Sequence, residues 1–226
     1  MAQLITNCIN EKNCSNVSVI LFLNLNEPQT FESIIRPLMD AIKKQISAAK
    51  VKTPGSSSQH NNVPDGCFPI GIQMAVVGSR YDEFQNMDTE KKRAIVRLLR
   101  FLAHICGASF QMYSIHQEPL VSRGKTLLSQ FGFDSAPNKN ASLDIHKPVF
   151  VPACVDSLDE IGPLIDSRSK PVVGSYEEGM GQFYSALNEL FKQEPDNQKA
   201  ALNNEEESKQ FAEPVIDTAI QERYRV

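Results

Sequence analysis

Three apolar runs constrain this chain more than any other feature: "VSVILFLNL" at 17–25, "IGIQMAVV" at 70–77 and "ASFQMYSI" at 108–115. The first is a continuous run rich in Val, Ile and Leu, the second reads as another buried strand, and the third, more mixed, as a third strand. Such runs form strands covered on both faces, as in a parallel sheet. Helical spacing fills the gaps between them. Phe31, Ile34, Ile35, Leu38, Ile42 and Ile46 form one stripe, with Thr30 as the expected N-cap and Pro37 expected to kink or interrupt it. Ile95, Leu98, Leu99, Leu102 and Cys106 form a second, capped by Asp88 and ended by Gly107. Pro119 and Gly132 bracket a third, with Leu120, Val121, Leu127, Leu128 and Phe131 inward. Strand, helix, strand, helix, strand, helix argues for an α/β domain built on a parallel sheet.

The periodicity weakens after residue 133. "HKPVFVPACVDSLDEIG" holds a short apolar stretch between prolines, read as an edge strand or a packed loop. Residues 175–192 form another helix. Ser175 and Glu178 fit a capping box, and Met180, Phe183, Tyr184, Leu187 and Phe191 make an apolar stripe. Residues 53–69 are rich in Pro, Gly, Ser and Asn and read as a mobile loop. Residues 194–226 are polar and acidic, with Ile216, Ile220 and Tyr224 at helical spacing; they read as disordered, ending in a short interaction helix. The organisation expected is an α/β domain over 1–133, an extension packing on it over 134–193, and a tail over 194–226.

Composition narrows the function. A net charge of −4 argues against general nucleic-acid binding, which needs a basic stripe to displace counterions. The N-terminus "MAQLITNCINEKNC" lacks the basic and apolar regions of a signal peptide. The longest clean apolar run has about 9 residues, far short of the roughly 20 that a membrane helix needs. Cysteines 8, 14, 67, 106 and 154 form no CxxC pair, which suits reduced thiols in a cytosolic protein. The sequons at Asn13, Asn16 and Asn140 are then chance matches. Cys106 and His104 lack a second ligand pair for zinc.

Two stretches suggest nucleotide chemistry. In "MAVVGSRYDEF" a buried strand ends in Ser79, Arg80, Tyr81 and Asp82. At the carboxyl edge of a sheet an aspartate accepts two hydrogen bonds from guanine, and Arg80 stacks on the base. The alternative is a helix-entry loop in which Asp82 and Asp88 bond local amides. The second stretch, "SRGKT" at 122–126, ends like a phosphate loop. It has Pro119 where that loop needs glycine, and Gly124 lies inside a helical stripe. No other stretch offers a phosphate cradle, so phosphoryl transfer lacks its machinery. His60, His104, His116 and His146 have no evident nucleophile to serve, and Asp156 with Asp159 reads as a helix start. Lys91, Lys92, Arg93, Arg97 and Arg100 form an outer helix face, either solvated or docking an acidic partner.

A longer pattern joins these pieces. Gly78-Ser79-Arg80-Tyr81-Asp82-x-Phe84, Glu90-Lys91-x-Arg93, Leu99-Arg100-Phe101-x-Ala103-His104 and Gly107-Ala108-Ser109 run collinearly. "VSVILFLNLNEP" precedes them and "HKPVFVPACVDSLDEIGP" follows. Over roughly residues 17–192 the chain resembles the dynein light intermediate chain family, most closely its dynein 2 branch. The resemblance implies a partial Ras-like, P-loop NTPase-type sheet flanked by helices, with a C-terminal helix and a partly disordered tail. It places Ser79, Arg80 and Asp82 where the guanine motif stands, as a vestige. It places Ser114 in the second base-contacting motif, where Ile115 replaces the lysine. In this family the phosphate-loop region and first strands precede the strand at 17–25; here 16 residues precede it. The chain is therefore expected to be a short isoform, a fragment or an incomplete gene model, whose first strand has an unpaired edge, poorly stable alone or completed by a partner.

The implied role is a non-catalytic accessory subunit without cofactor or metal. Its implied partners are the dynein 2 heavy-chain tail and other dynein subunits, in cytoplasm, cytoskeleton and cilium, including axoneme and basal body. The docking surfaces expected from exposure and apolar pattern are Lys91, Lys92, Arg93, Arg97 and Arg100 on one helix and Phe183, Tyr184, Leu187 and Phe191 on another. The alternative is a divergent small GTPase-like enzyme or nucleotide-binding switch.

Overall fold

A computed structural model of the chain describes residue 9 and residues 16–48, 63–133, 135, 140–165 and 169–192. The expectations for the loop before residue 63 and for the tail from 194, with Ile216, Ile220 and Tyr224, lie outside the described residues. β1 (Ser18–Asn24), β2 (Gln73–Ser79) and β3 (Ser109–Met112) pair in parallel, in that order. β4 (Phe150–Val151) joins the far edge antiparallel to β3. It is the apolar stretch between prolines, short because Pro148 and Pro152 bound it. The helices are α1 (Phe31–Ala48), a single turn α2 (Tyr81–Phe84), α3 (Thr89–Cys106), α4 (Glu118–Phe133), a single turn α5 (Leu158–Ile161) and α6 (Tyr176–Leu190).

Strand register sorts side chains onto two unequal faces. Leu21 lies opposite Val76, and Val76 opposite Phe110. These side chains, with Leu23, Met74 and Met112, enter one large core with α1, α3 and α6. Val149, Val151, Ile161, Phe183 and Leu187 belong to the same core, so the segment after 133 shares it. Among the described residues, the buried members of the cluster on the opposite face are Ala75, Val77 and Leu127, with Ile20, Tyr113 and Phe131 packed against them. α4 covers that face incompletely: Phe22 is 56% exposed and Leu128 60%. Two expectations are corrected here. β1 is buried on one face only, and Leu128 points outward. Among the described residues β1 pairs with β2 alone.

Local signals fare unevenly. Asp88 caps α3, its Oδ1 accepting from the amides of Glu90 and Lys91. Gly107, at φ +65°, closes the same helix in a Schellman turn: its amide donates to the His104 carbonyl and that of Ala108 to Ala103. Ser175 caps α6, accepting from the Glu178 amide at 3.2 Å; the Glu178 carboxylate accepts from the Gly174 amide rather than from Ser175. Thr30 does not cap by accepting. Its hydroxyl donates to the Glu27 carbonyl, ending a 3-10 turn (Pro28–Thr30) that runs into α1. Pro37 does not interrupt α1. Its ring is exposed, so water can satisfy the carbonyl it leaves unpaired while Ile35, Met39, Ile42 and Ile46 stay in the core.

β2 ends under a tight constraint. A Cβ built on Gly78 would lie 2.6 Å from Leu25 Cδ2, and Leu25 is fully buried. Gly78→Ala should therefore destabilise the domain by about 1–3 kcal/mol through overpacking. Chemical unfolding should show a lowered midpoint with an unchanged slope.

Candidate functional site

The parallel strands end together at Asn24, Ser79 and Met112, and the candidate nucleotide motif lies at that carboxyl edge. The Ser79 hydroxyl donates to the Leu23 carbonyl at 3.1 Å, tying the motif to β1. Arg80 turns the chain with φ +60°, a left-handed conformation that is uncommon outside glycine, asparagine and aspartate. The turn is held by Tyr81, whose amide donates to the Tyr113 carbonyl at 3.1 Å, and by Tyr113, whose amide donates to the Gly78 carbonyl at 2.8 Å. Tyr81 and Phe84 then bury their rings, leaving Asp82 at the rim.

Here the structure joins two sequence-predicted residues. The Ser114 hydroxyl donates to Asp82 Oδ1, and the same Ser114 oxygen accepts from the His116 amide at 3.1 Å. The Ser114 bond is the main reason the Asp82 carboxyl is held below the usual carboxylate range; His116 and Arg80 add smaller pulls in that direction. Arg80 Nη1 lies 3.6 Å from Glu83 Oε1, and Asn26 donates to Glu83 Oε2 at 2.7 Å. A cavity of about 420 Å³ opens over Ser79, Arg80, Asp82, Tyr113, Ile115 and His116. The acid thus sits at a ligand-binding edge with one oxygen engaged by the chain's own serine. Ile115, 72% exposed, supplies no cation where a base-stacking lysine would stand.

The second nucleotide-like stretch is no phosphate loop. Gly124, Lys125 and Thr126 lie in mid-α4, where backbone amides are committed to the helix. Among the described residues, no three His, Cys, Asp or Glu side chains cluster as metal ligands, and no helix is long and apolar enough to cross a membrane. Asp156 and Asp159 do not meet: Asp156 is buried, while Asp159 pairs with Lys170 at 2.7 Å on the surface.

The expected basic face of α3 is not a face. Arg100 is buried, and its Nε and Nη2 bond the two Asp156 oxygens at 2.8 and 2.6 Å. Lys92 is also buried, donating to the Gln85 carbonyl at 3.0 Å. Arg97 is half-buried and Arg93 pairs with Glu90 at 2.6 Å, leaving Lys91 as the exposed cation of the five. The reason lies in "AIVRLLRFLAHIC": from Ile95 onward nearly every residue is apolar, so α3 is enclosed all round and has no outer side for Arg100. The α6 stripe is likewise spent internally, with Phe183 and Leu187 fully buried and Tyr184 nearly so.

One pair from the two expected surfaces does come together. Lys91 and Phe191 line a cleft of about 530 Å³ with Gln29, Ala94, Leu190 and Lys192. Sequence reasoning missed this cleft and the Arg100–Asp156 pair because both join segments far apart in the chain. The apolar density around Arg100 was the signal that it would need a buried acid.

No family model matches the chain. Over 96% of its length it is 30% identical to cytoplasmic dynein 2 light intermediate chain 1 of Danio rerio, spanning 64% of that protein. Over 65% it is 31% identical to the Bos taurus protein of that name, spanning 46% of it. Over 88% it is 28% identical to the Mus musculus one, spanning 61%. The chain thus spans less than two thirds of these relatives. The crystal structure of a dynein light intermediate chain's conserved domain matches 86% of this chain and 73% of its own, with a TM-score of 0.51 at 14% identity. That likeness concerns the fold alone; it accords with the α/β class read from the residues and with the Ras-like type that the resemblance implied.

Two outcomes follow from this geometry. Asp156→Ala leaves a buried guanidinium unpaired and should cost about 3–5 kcal/mol in chemical unfolding. The Ser114 hydroxyl donates to the charged form of Asp82, so Ser114→Ala should move the Asp82 titration up toward the ordinary carboxylate value in an NMR pH series.

Proposed function

The chain is related to the cytoplasmic dynein 2 light intermediate chains, and from that relationship we propose that it is a non-catalytic accessory subunit of the dynein 2 motor. It binds the tail of the heavy chain, alongside other dynein subunits, and supports assembly of the motor for retrograde intraflagellar transport and cilium assembly. Its place is the cytoplasm, the cytoskeleton and the cilium, at axoneme and basal body. The observation that carries this reading is the collinear likeness over 96% of the chain. The engagement of Asp82 by Ser114 is in keeping with a non-catalytic role.

The docking surface is narrower than the two helix faces read from the sequence. It centres on the cleft where Lys91 and Lys192 flank Leu190 and Phe191. An amphipathic partner helix carrying acids beside an apolar edge fits that chemistry. Arg93 at its border is already paired with Glu90, so it contributes less. Buried Lys92, Arg100, Phe183, Tyr184 and Leu187 contribute by holding the two helices in place.

A second reading is a divergent GTPase-like enzyme or switch. It is favoured by one observation, the Asp82 acid facing a cavity of about 420 Å³ at the carboxyl edge.

The test is capture of the dynein 2 heavy-chain tail by the full chain. Lys91→Glu combined with Phe191→Ala should reduce capture by about 10-fold or more, as loss of an anchor and a charge implies. Lys125→Glu, on exposed α4, should leave it unchanged. An unmodified chain that retains no tail would overturn the subunit reading. Magnesium-dependent retention of GTP by the same preparation would favour the second.

A further inference from the structure

Two thiols meet at the opposite end of the sheet. The stretch 63–70, which leads into β2, passes beneath the C-terminus of α3. There the Phe68 amide donates to the Ile105 carbonyl at 2.8 Å, and His104 Nε2 lies 2.8 Å from the Asp65 carbonyl. The stretch after β4 passes the same helix end from the other side. Cys67 on the first and Cys154 on the second bring their sulfurs to 3.8 Å, across 87 positions of sequence. Cys154 Sγ also lies 3.8 Å from the Gly107 carbonyl, which accepts from it in the thiol form. Cys154 adopts φ +57°, a left-handed conformation that costs a residue with a Cβ about 1–2 kcal/mol. That turn is what aims its side chain at Cys67 rather than along the surface.

The pair is asymmetric. Cys67 is buried, whereas Cys154 is partly exposed between exposed Ala153 and Val155. The contact between the two sulfurs draws the Cys154 thiol below its ordinary value, against the opposing effect of burial. The same contact, together with burial, pushes Cys67 up. The remaining described cysteine, Cys106, is enclosed, and burial pushes its thiol up to about 12. A partly exposed thiol drawn toward its thiolate, with a second, buried thiol within reach to resolve it, is the arrangement that hydrogen peroxide oxidises selectively.

We propose that Cys67 and Cys154 form a redox modification site, oxidised by hydrogen peroxide to a disulfide that staples the stretch before β2 to the loop after β4. The Cys154 thiolate attacks one peroxide oxygen and the O–O bond breaks. Cys154 becomes a sulfenic acid, and the departing hydroxide takes a proton to leave as water. Cys67 sulfur then attacks Cys154 sulfur, the S–O bond breaks, and the Cys67 proton leaves with that hydroxide as a second water. Two thiols and one peroxide give one disulfide and two waters, the sulfurs supplying both electrons. Closing from 3.8 Å to a bond of about 2.05 Å asks for side-chain rotation and a small loop shift. The loop that shifts holds Asp156, so the staple also fastens the partner of Arg100.

The test treats the reduced full chain with one equivalent of hydrogen peroxide, blocks remaining thiols with maleimide and maps disulfides after proteolysis. The 67–154 crosslink should dominate, and the Cys154 thiol should disappear at least ~10-fold faster than Cys106, in keeping with its thiolate character. Cys154→Ser should abolish the crosslink and leave Cys67 reduced. Cys67→Ser should leave a Cys154 sulfenic acid that dimedone traps. The oxidised chain should melt about 5 °C or more above the reduced one. A dominant crosslink elsewhere, equal rates at Cys154 and Cys106, or oxidation of Cys67 in Cys154→Ser would overturn the site. An unchanged melting temperature would overturn the staple.

Discussion

Arg100 reaches Asp156 from the C-terminal half of α3, which is buried on every side, and much of the molecule is arranged around that meeting. The guanidinium bonds both carboxylate oxygens and also approaches the Glu160 carbonyl at 3.4 Å. Asp156 Oδ1 accepts from the Ser157 amide at 3.0 Å as well, and Ser157 in turn caps α5. One ion pair therefore fixes how the segment after β4 enters the core. Its net stabilisation is modest, because each charge loses hydration on burial. Its structural effect is larger. An enclosed cation admits one acceptor geometry, so other packings of the segment would leave a bare charge.

The remainder of α3 follows from the same enclosure. Its inner side meets the sheet, and α6 covers another side with Phe183 and Leu187. Lys92 finds a carbonyl instead of water, and Asp88 and Gly107 close the two ends. The sheet is thereby loaded on one face. The other face, with Ala75, Val77 and Leu127 at its centre, holds far less apolar volume and leaves Phe22 open. Phe22 touches Tyr113 edge-to-face with ring centroids 6.4 Å apart, a contact that shields part of each ring.

Local chemistry was the part legible in the sequence. Three strands, four long helices, the Asp88 and Ser175 caps and the Gly107 terminator all follow from patterns a few residues long, and all stand in the structure. The α/β class was legible too, as was the mid-helix setting of Gly124, whereas the Ras-like type came from the longer resemblance. What local pattern could not supply was the identity of a helix side's neighbour. Arg100 and Arg97 sit at spacings that look outward for an isolated amphipathic helix; only the packing of a later segment makes that side interior. Thr30 and Pro37 failed for a related reason. A cap or a break is a propensity, and the burial of Phe31, Ile35 and Met39 outweighed it. Cys67 and Cys154 were invisible as a pair because no short motif joins residues 87 positions apart.

The candidate site shows how an intact shape can carry altered chemistry. At the carboxyl edge of β2 the backbone still presents an acid, a turn and a small cavity, because strand pairing and the Gly78–Leu25 contact set their positions. Recognition of a base asks more than position. It needs both carboxylate oxygens available and a cation to stack above the ring. Ser114 engages one oxygen, Ile115 stands where the cation would be, and Arg80 leans toward Glu83. A ligand entering here would have to compete with a bond that already stabilises the aspartate's charge. A second cleft lies where α3 begins and α6 ends, between exposed Lys91 and half-buried Phe191. A central helix enclosed along its C-terminal half leaves the candidate reactive features at its two ends: the Lys91 cleft by its N-terminus and the Cys67–Cys154 pair beneath its C-terminus.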